Sequence, residues 1–164
     1  MRLSAPYAVI VGLAASLLSA STLAADVSVR VFNSTPIDVP DNTAIKLTFD
    51  RERFDTSRFH DIGNPGVLVV PVTGKYMIYC SAFFPTNGAG ARSLGIIRNG
   101  SQELAFEHKV AAQNYYTYLN VFSHFRLIAG DSIEFQAVQD SGVTLQVGGP
   151  PNNKSPECGM FKSG

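Results

Sequence analysis

The sequence predicts an all-β domain: an antiparallel sandwich or barrel of about ten short strands. Three observations carry this. Apolar and polar residues alternate with period two along most of the chain, as a half-buried strand requires, because successive side chains point to opposite faces. Turn signals recur between the alternating runs, and no segment shows sustained helical periodicity. A parallel sheet would need long crossovers, and the spacing leaves no room for them.

The elements follow in order. Val27, Val29 and Val31 alternate with Ser28, Arg30 and Phe32, and Ile45, Leu47 and Phe49 alternate with Lys46 and Thr48. Val67 to Val70, Tyr76 to Phe84 and Ser93 to Arg98 read as three further strands. Asn99-Gly100 then marks a hairpin, since both residues readily take positive φ. The return strand runs from Glu103 to Val110, and a long β-rich run spans Tyr115 to Leu127. Ala129-Gly130-Asp131 turns into a strand over Ser132 to Val138. Asp140-Ser141-Gly142 turns into another over Val143 to Val147. A loop from Gly148 to Pro156 precedes a last strand at Cys158 to Phe161.

Composition limits the function classes. Of 164 residues, 13 are Lys or Arg and 13 are Asp or Glu, so the formal charge is zero. Such a balance offers no general basic surface for nucleic acid or an anionic membrane. With 45% apolar and 16% charged residues, the chain can build a packed core. Residues 1–24 read as a cleaved secretory signal: Met1-Arg2, the apolar run Tyr7 to Leu18, and Ser19 to Ala25 with Thr22 and Ala24 before the cut. The run is too short to span a bilayer, which takes about 20 residues. Residues 25–164 form one domain, secreted or periplasmic, with no membrane span. Loss of Arg2 leaves 12 basic against 13 acidic residues, about −1. Cys80 and Cys158 both lie in this domain. An oxidising compartment permits one bridge between them, and two buried free thiols are the alternative.

Five segments then stand in a telling order. They are VPDNTAIKLTFDRERFD (Val39 to Asp55) followed by His60-Asp61, LVVPVTGKYMI (Leu68 to Ile78), Arg98-Asn99-Gly100, LIAGD (Leu127 to Asp131) and QDSGVTL (Gln139 to Leu145). The set resembles the globular-head domain of complement C1q, within the tumour-necrosis-factor-like superfamily. It is most similar to the stand-alone versions of bacteria and phages. Phe49, Asp55, Gly74 and Tyr76 match that family's pattern. His60 departs from it, as do Val67 or Leu68 before the Pro-x-x-Gly turn and Ile78 after Tyr76. These departures remove support for an animal complement role. The resemblance covers Val29 to Phe161 and implies a two-sheet jelly roll of ten strands. It further implies assembly as a homotrimer and binding of a protein, glycan or surface without catalysis, with calcium bound by some members of the family through acidic loop residues. Under the family topology the strand from Gly74 lies antiparallel beside the last strand. Pairing Tyr76 with Lys162 then sets Cys80 opposite Cys158, which implies a disulfide.

Individual residues sharpen this picture. Gly-x-Ser-x-Gly and Gly-rich phosphate loops do not occur, so no nucleophile motif points to an enzyme. His60, His108 and His124 lack metal-ligand spacing and read as structural histidines. Asp50, Glu52, Asp55 and Asp61 could supply oxygen ligands to calcium, yet Arg51, Arg53 and Arg58 interleave with them and favour a solvated, self-neutralising loop. Gly74 serves a tight turn, and Tyr76 serves the core or a subunit contact. In the run from Tyr115 to Leu127, one alternating set (Leu119, Val121, Phe125, Leu127) suffices for the core. The other set, Tyr116, Tyr118 and Phe122, needs cover, and a neighbouring subunit is the expected cover. Tyr76, Tyr116, Tyr118 and Phe122 are therefore the candidate trimer-contact residues. A calcium-dependent lectin-like jelly roll, or a structural component of an envelope or phage-derived particle, is the rival reading.

Overall fold

The computed structural model describes residues 26–148 and 155–163. The expected leader and the middle of the Gly148–Pro156 loop lie outside the described residues. Twelve strands follow in order: β1 Ser28–Phe32, β2 Ile37–Val39, β3 Ile45–Lys46, β4 Arg51–Asp55, β5 Leu68–Val69, β6 Gly74–Phe84, β7 Ala91–Arg98, β8 Gln102–Val110, β9 Thr117–Leu127, β10 Ser132–Gln139, β11 Leu145–Val147 and β12 Glu157–Lys162. Ten correspond to the strands expected from alternation. The other two are β2, too short to show a period, and β4, whose Arg51–Asp55 had read as a loop. Its charges conceal the strand because it lies at a sheet edge, where side chains stay wet on both faces.

Every strand pairing among the described residues is antiparallel. One sheet runs β4-β1-β12-β6-β9, a second runs β3-β10-β7-β8 with β5 also on β10, and β11 pairs with β2 in a short ribbon. The chain crosses from one sheet to the other between β6 and β7, between β8 and β9, and between β9 and β10. That alternation makes the sandwich a jelly roll, as expected.

The core lies between the sheets. Tyr76, Ile78 and Cys80 of β6, Leu119 and Leu127 of β9, and Val29 and Val31 of β1 meet Leu94, Ile96, Ile133 and Phe135 of the opposite layer. Phe49 stands edge-to-face against Phe135 at 6.0 Å, and Phe59 against Tyr76 at 6.1 Å. Phe125, expected in the core, is half-buried with the Arg98 guanidinium over its ring at 5.8 Å. Asn99 and Gly100 take φ of 52° and 71°, the mirror-image turn expected for a two-residue hairpin. The last strand pairs with β6 in the register implied above, Lys162 opposite Tyr76 and Cys158 opposite Cys80. A disulfide joins the two cysteines.

Both edges of the first sheet carry side chains that disfavour pairing with another strand. At β9, Lys109 donates to the Tyr118 carbonyl at 2.9 Å and the Asn120 amide donates to Glu107. At the other edge, β4 carries Arg51, Glu52, Arg53 and Asp55. Charged and capped edges of this kind block edge-to-edge association.

Candidate interaction surface

The first sheet has an outer face, away from the core, and its character follows from the register. In β6 the residues alternating with Tyr76, Ile78 and Cys80 are Lys75, Met77, Tyr79, Ser81 and Phe83. In β9 the outward set is Tyr118, Asn120, Phe122, His124 and Arg126. Tyr79 lies directly opposite Phe122, and Phe83 opposite Tyr118. Phe83 is buried beneath Tyr116 and Tyr118, with ring centroids at 5.4 and 5.6 Å. Above it the face is open: Phe122 is 71% exposed and Tyr118 is 53% exposed. Phe161 of β12 and Phe54 of β4 extend the apolar patch across the sheet.

Tyr116, Tyr118 and Phe122 therefore stand together on one face, as the alternating run predicts. Tyr76 does not join them. It is fully buried within its own chain and its hydroxyl donates to the Val72 carbonyl at 2.6 Å. Its even position in β6 points inward, and burial raises the phenol pKa while that hydrogen bond lowers it, the net shift being upward. Tyr76 is a core residue, which corrects its assignment to a subunit contact. Sequence reasoning missed Tyr79, Phe83 and Phe161. The rule that exposed Tyr118 and Phe122, large rings on both alternating sets of one strand, applies equally to Tyr79 and Phe83 in β6.

A charged centre sits within this aromatic face. Glu157, at the start of β12, accepts from Arg30 Nε at 2.6 Å and from Arg53 Nε at 2.8 Å. Arg53 also lies over the Phe32 ring, 4.7 Å from its centroid. Burial pushes the Glu157 carboxyl up, but hydrogen bonding and charge from Arg53 and Arg30 outweigh it and hold the pKa below the usual value. Beside this triad, the Tyr79 hydroxyl lies over Gly159, where an added Cβ would come within 2.6 Å of it. Glycine is required at that crossing, and the ring covers the backbone that it leaves bare. Burial raises the Tyr79 pKa, with Arg30 pulling the other way. Arg30, Tyr79, Ser81, Phe83, Tyr118, Ser155 and Glu157 enclose a pocket of about 250 Å³ on this face. Ser155 Oγ is buried without a hydrogen-bond partner among the described residues.

A larger, open cleft of about 620 Å³ lies off this face, lined by Asp50, Arg51, Glu52, Arg58, His60, Asp61 and Ile62. It holds the acidic residues considered for calcium, but their carboxylates are committed separately. Asp50 accepts from the Ser34 amide at 2.8 Å and from the Ser34 hydroxyl. Glu52 meets His60 Nδ1 at 2.9 Å, Asp55 accepts from the Ser57 and His60 amides, and Asp61 accepts from the Gly63 amide at 2.9 Å. Among the described residues no three His, Cys, Asp or Glu side chains converge in a way that could hold a metal ion. The reading of Arg51–Asp55 as a solvated loop is corrected, since those residues form β4. The histidines are separate as well: His60 is buried against Glu52, His108 Nδ1 meets Ser93 Oγ at 2.9 Å, and His124 Nε2 meets Ser163 Oγ at 2.8 Å.

No protein-family model and no curated protein matches the sequence. Solved structures do match the fold. A crystal structure of murine APRIL at pH 5.0 superposes with a TM-score of 0.65 at 13% identity, covering 84% of this chain and 98% of that one. Murine APRIL at pH 8.0 gives 0.62 at 15% identity, and at pH 8.5 gives 0.60 at 16% identity; each covers 82% of this chain and 97% of the other. At such identities the likeness concerns architecture. This chain has the jelly-roll sandwich of the tumour-necrosis-factor-like class. No helix among the described residues is long and apolar enough to cross a membrane.

Proposed function

We propose that this chain is an exported, non-enzymatic binding module that works as a homotrimer, with copies meeting through the outer face of the β4-β1-β12-β6-β9 sheet. One observation carries the reading. That face exposes Tyr118, Phe122, Phe161 and Phe54 around the Arg30–Glu157–Arg53 ion pairs, while charged side chains line or cap both edges of the same sheet. Exposed rings gathered on one face in this way are costly to leave wet, and such faces mark interfaces. Each ring buried fully contributes roughly 1.5–3 kcal/mol. Charged side chains at β4 and β9 disfavour strand addition there, so the face itself is the favoured route to association. The likeness to tumour-necrosis-factor-like jelly rolls supports the same stoichiometry. The ligand, a protein, glycan or surface, then meets the loops at the ends of the sandwich, which are free to differ without disturbing the core.

Light scattering on residues 25–164 tests this reading. A mass three times that of the chain at micromolar concentration is the expected result. Phe122→Arg should yield a folded monomer with an unchanged circular dichroism spectrum. A wild-type monomer at that concentration would sink the proposal.

A further inference from the structure

We infer that a cleft on the outer face of the second sheet, between Asn42, His108 and Asp140, binds the hydroxyl-bearing edge of a neutral sugar ring. The inference rests on the reading of this chain as a binding module and names its ligand class. The place follows from the register. Leu94 and Ile96 of β7, with Ile133, Phe135 and Ala137 of β10, point into the core. The residues alternating with them point away from it. Ser93 lies between Val138 of β10 and His108 of β8, and Gly95 lies opposite Phe106. The β2–β3 and β10–β11 loops meet at the end of this face and bring in Asn42 and Asp140. The cleft therefore sits at an end of the sandwich, on the layer opposite the proposed trimer face.

Buried Gln139 holds the two loops together. Its side-chain amide donates to the Val39 carbonyl at 3.0 Å and the Val143 carbonyl at 2.7 Å, and its oxygen accepts from the Ser141 amide at 2.8 Å. The Asn42 amide donates to the Gln139 carbonyl at 2.8 Å, and Asp41 accepts from the Gly142 amide at 2.7 Å. Polar groups fixed in this way lose little freedom when a ligand arrives. Three exposed residues keep hydrogen-bonding capacity there. Asp140 accepts from the Ala91 amide through Oδ1, and its Oδ2 has no partner among the described residues. Asn42 spends Nδ2 on Asp41 and keeps Oδ1. His108 meets Ser93 Oγ through Nδ1 at 2.9 Å and keeps Nε2. With the Ser93 hydroxyl donating, the neutral imidazole carries its proton on Nε2 and offers a donor. Two acceptors and one donor suit neighbouring hydroxyls, each of which both donates and accepts. An apolar platform adjoins them: Phe106 is 51% exposed and stacks on His108 with centroids 6.3 Å apart. Its electron-rich face suits the C–H face of a sugar ring. The space of about 130 Å³ takes the edge of one ring, leaving the remainder to Phe106. Asp140 is the one charged side chain lining the cleft, so an acidic sugar would be repelled. A lone carboxylate also falls short of the several oxygens that calcium takes, so the sugar binds the side chains directly.

Titration of residues 25–164 with the methyl glycosides of galactose, glucose, mannose and N-acetylglucosamine, followed by the backbone amide NMR spectrum, tests this. At millimolar concentration and in the presence of EDTA, at least one glycoside should shift the Asn42, Ser93, His108 and Asp140 amides. Asp140→Asn and Phe106→Ala should each weaken that binding about tenfold with circular dichroism unchanged. Phe122→Arg, which addresses the trimer, should bind as the parent does. No shift with any of these glycosides, shifts confined to other residues, or full affinity in either cleft variant would overturn the site. Binding that EDTA abolishes would also overturn it, in favour of a metal-dependent site elsewhere. None of these outcomes touches the mass measured by light scattering, which decides the trimer separately.

Discussion

Asp131 ties three parts of the chain together. Its carboxylate accepts from Arg98 Nη2 at 2.8 Å, from Asn99 Nδ2 at 2.9 Å and from the Ile128 amide at 2.8 Å. It thereby joins the β7–β8 hairpin to the turn before β10. Burial pushes its pKa up, but Arg98, Asn99 and the Ile128 amide together hold it below the usual carboxylate value. Asp50 and Glu157 are depressed likewise, against the opposing push of burial, through Ser34 and through Arg53 and Arg30 respectively. The sign follows: a carboxylate with a lowered folded pKa stabilises above its unfolded value, about 4, and that contribution disappears as pH falls through the folded one. The urea midpoint should therefore stay flat from neutral pH to about 5 and fall below about 4. Asp131→Asn should cost roughly 1–3 kcal/mol at neutral pH and flatten the acid limb, both read from urea titrations at several pH values. Unchanged midpoints across that range would show that these contacts carry no net stability. A quieter residue is Arg92, fully buried, whose guanidinium donates to the Asn87, Ala89 and Ala91 carbonyls at 2.9 Å each and shapes the loop before β7. Its charge gives no hint of this role in the sequence, since arginine is rarely fully buried.

Among the elements, β6 and β12 matter most to the interaction face. Side chains inward of this pair build the core, and those outward of it build the pocket and the charge centre. The disulfide closes a separation of 78 residues between them. Loops of that length, once cross-linked, lose much of their unfolded-state freedom. Replacing both cysteines with alanine should cost about 2–5 kcal/mol, measured by denaturant unfolding against the oxidised parent. Mass spectrometry without reductant should find no free thiol. Two free thiols in native protein would remove the bridge. β4 teaches a different lesson: its charges serve an edge, so alternation fails to reveal it and the Arg51–Asp55 stretch passes for a loop.

For the whole molecule, the proposed trimer would link sandwich stability to assembly. Association that binds the folded state and not the unfolded one stabilises by mass action. The melting temperature should therefore rise with protein concentration, and Phe122→Arg should abolish that dependence while lowering the melting temperature at high concentration. A melting temperature independent of concentration in the wild type would mean that folding and association are separate. Charged and capped edges at β4 and β9 oppose extension of the first sheet from copy to copy into fibres.

Period-two alternation, turn residues and the absence of helical pattern determined the fold class, ten of the strands and the outward set Tyr116, Tyr118 and Phe122, of which Tyr118 and Phe122 are exposed and Tyr116 is half-buried. Each depends on short-range rules that the chain carries in consecutive residues. Cys80 and Cys158 were visible as a possible pair, but their bond required the β6–β12 register, a contact between distant segments. The same reason separates Tyr76 from its expected place at a subunit contact. Which face a ring takes is set by where its strand lies in the sandwich, and inward positions of β6 belong to the core. The Arg30–Glu157–Arg53 triad and the pocket above it arise where β1, β4, β6 and β12 converge. No local pattern encodes that convergence; packing of the two layers decided it.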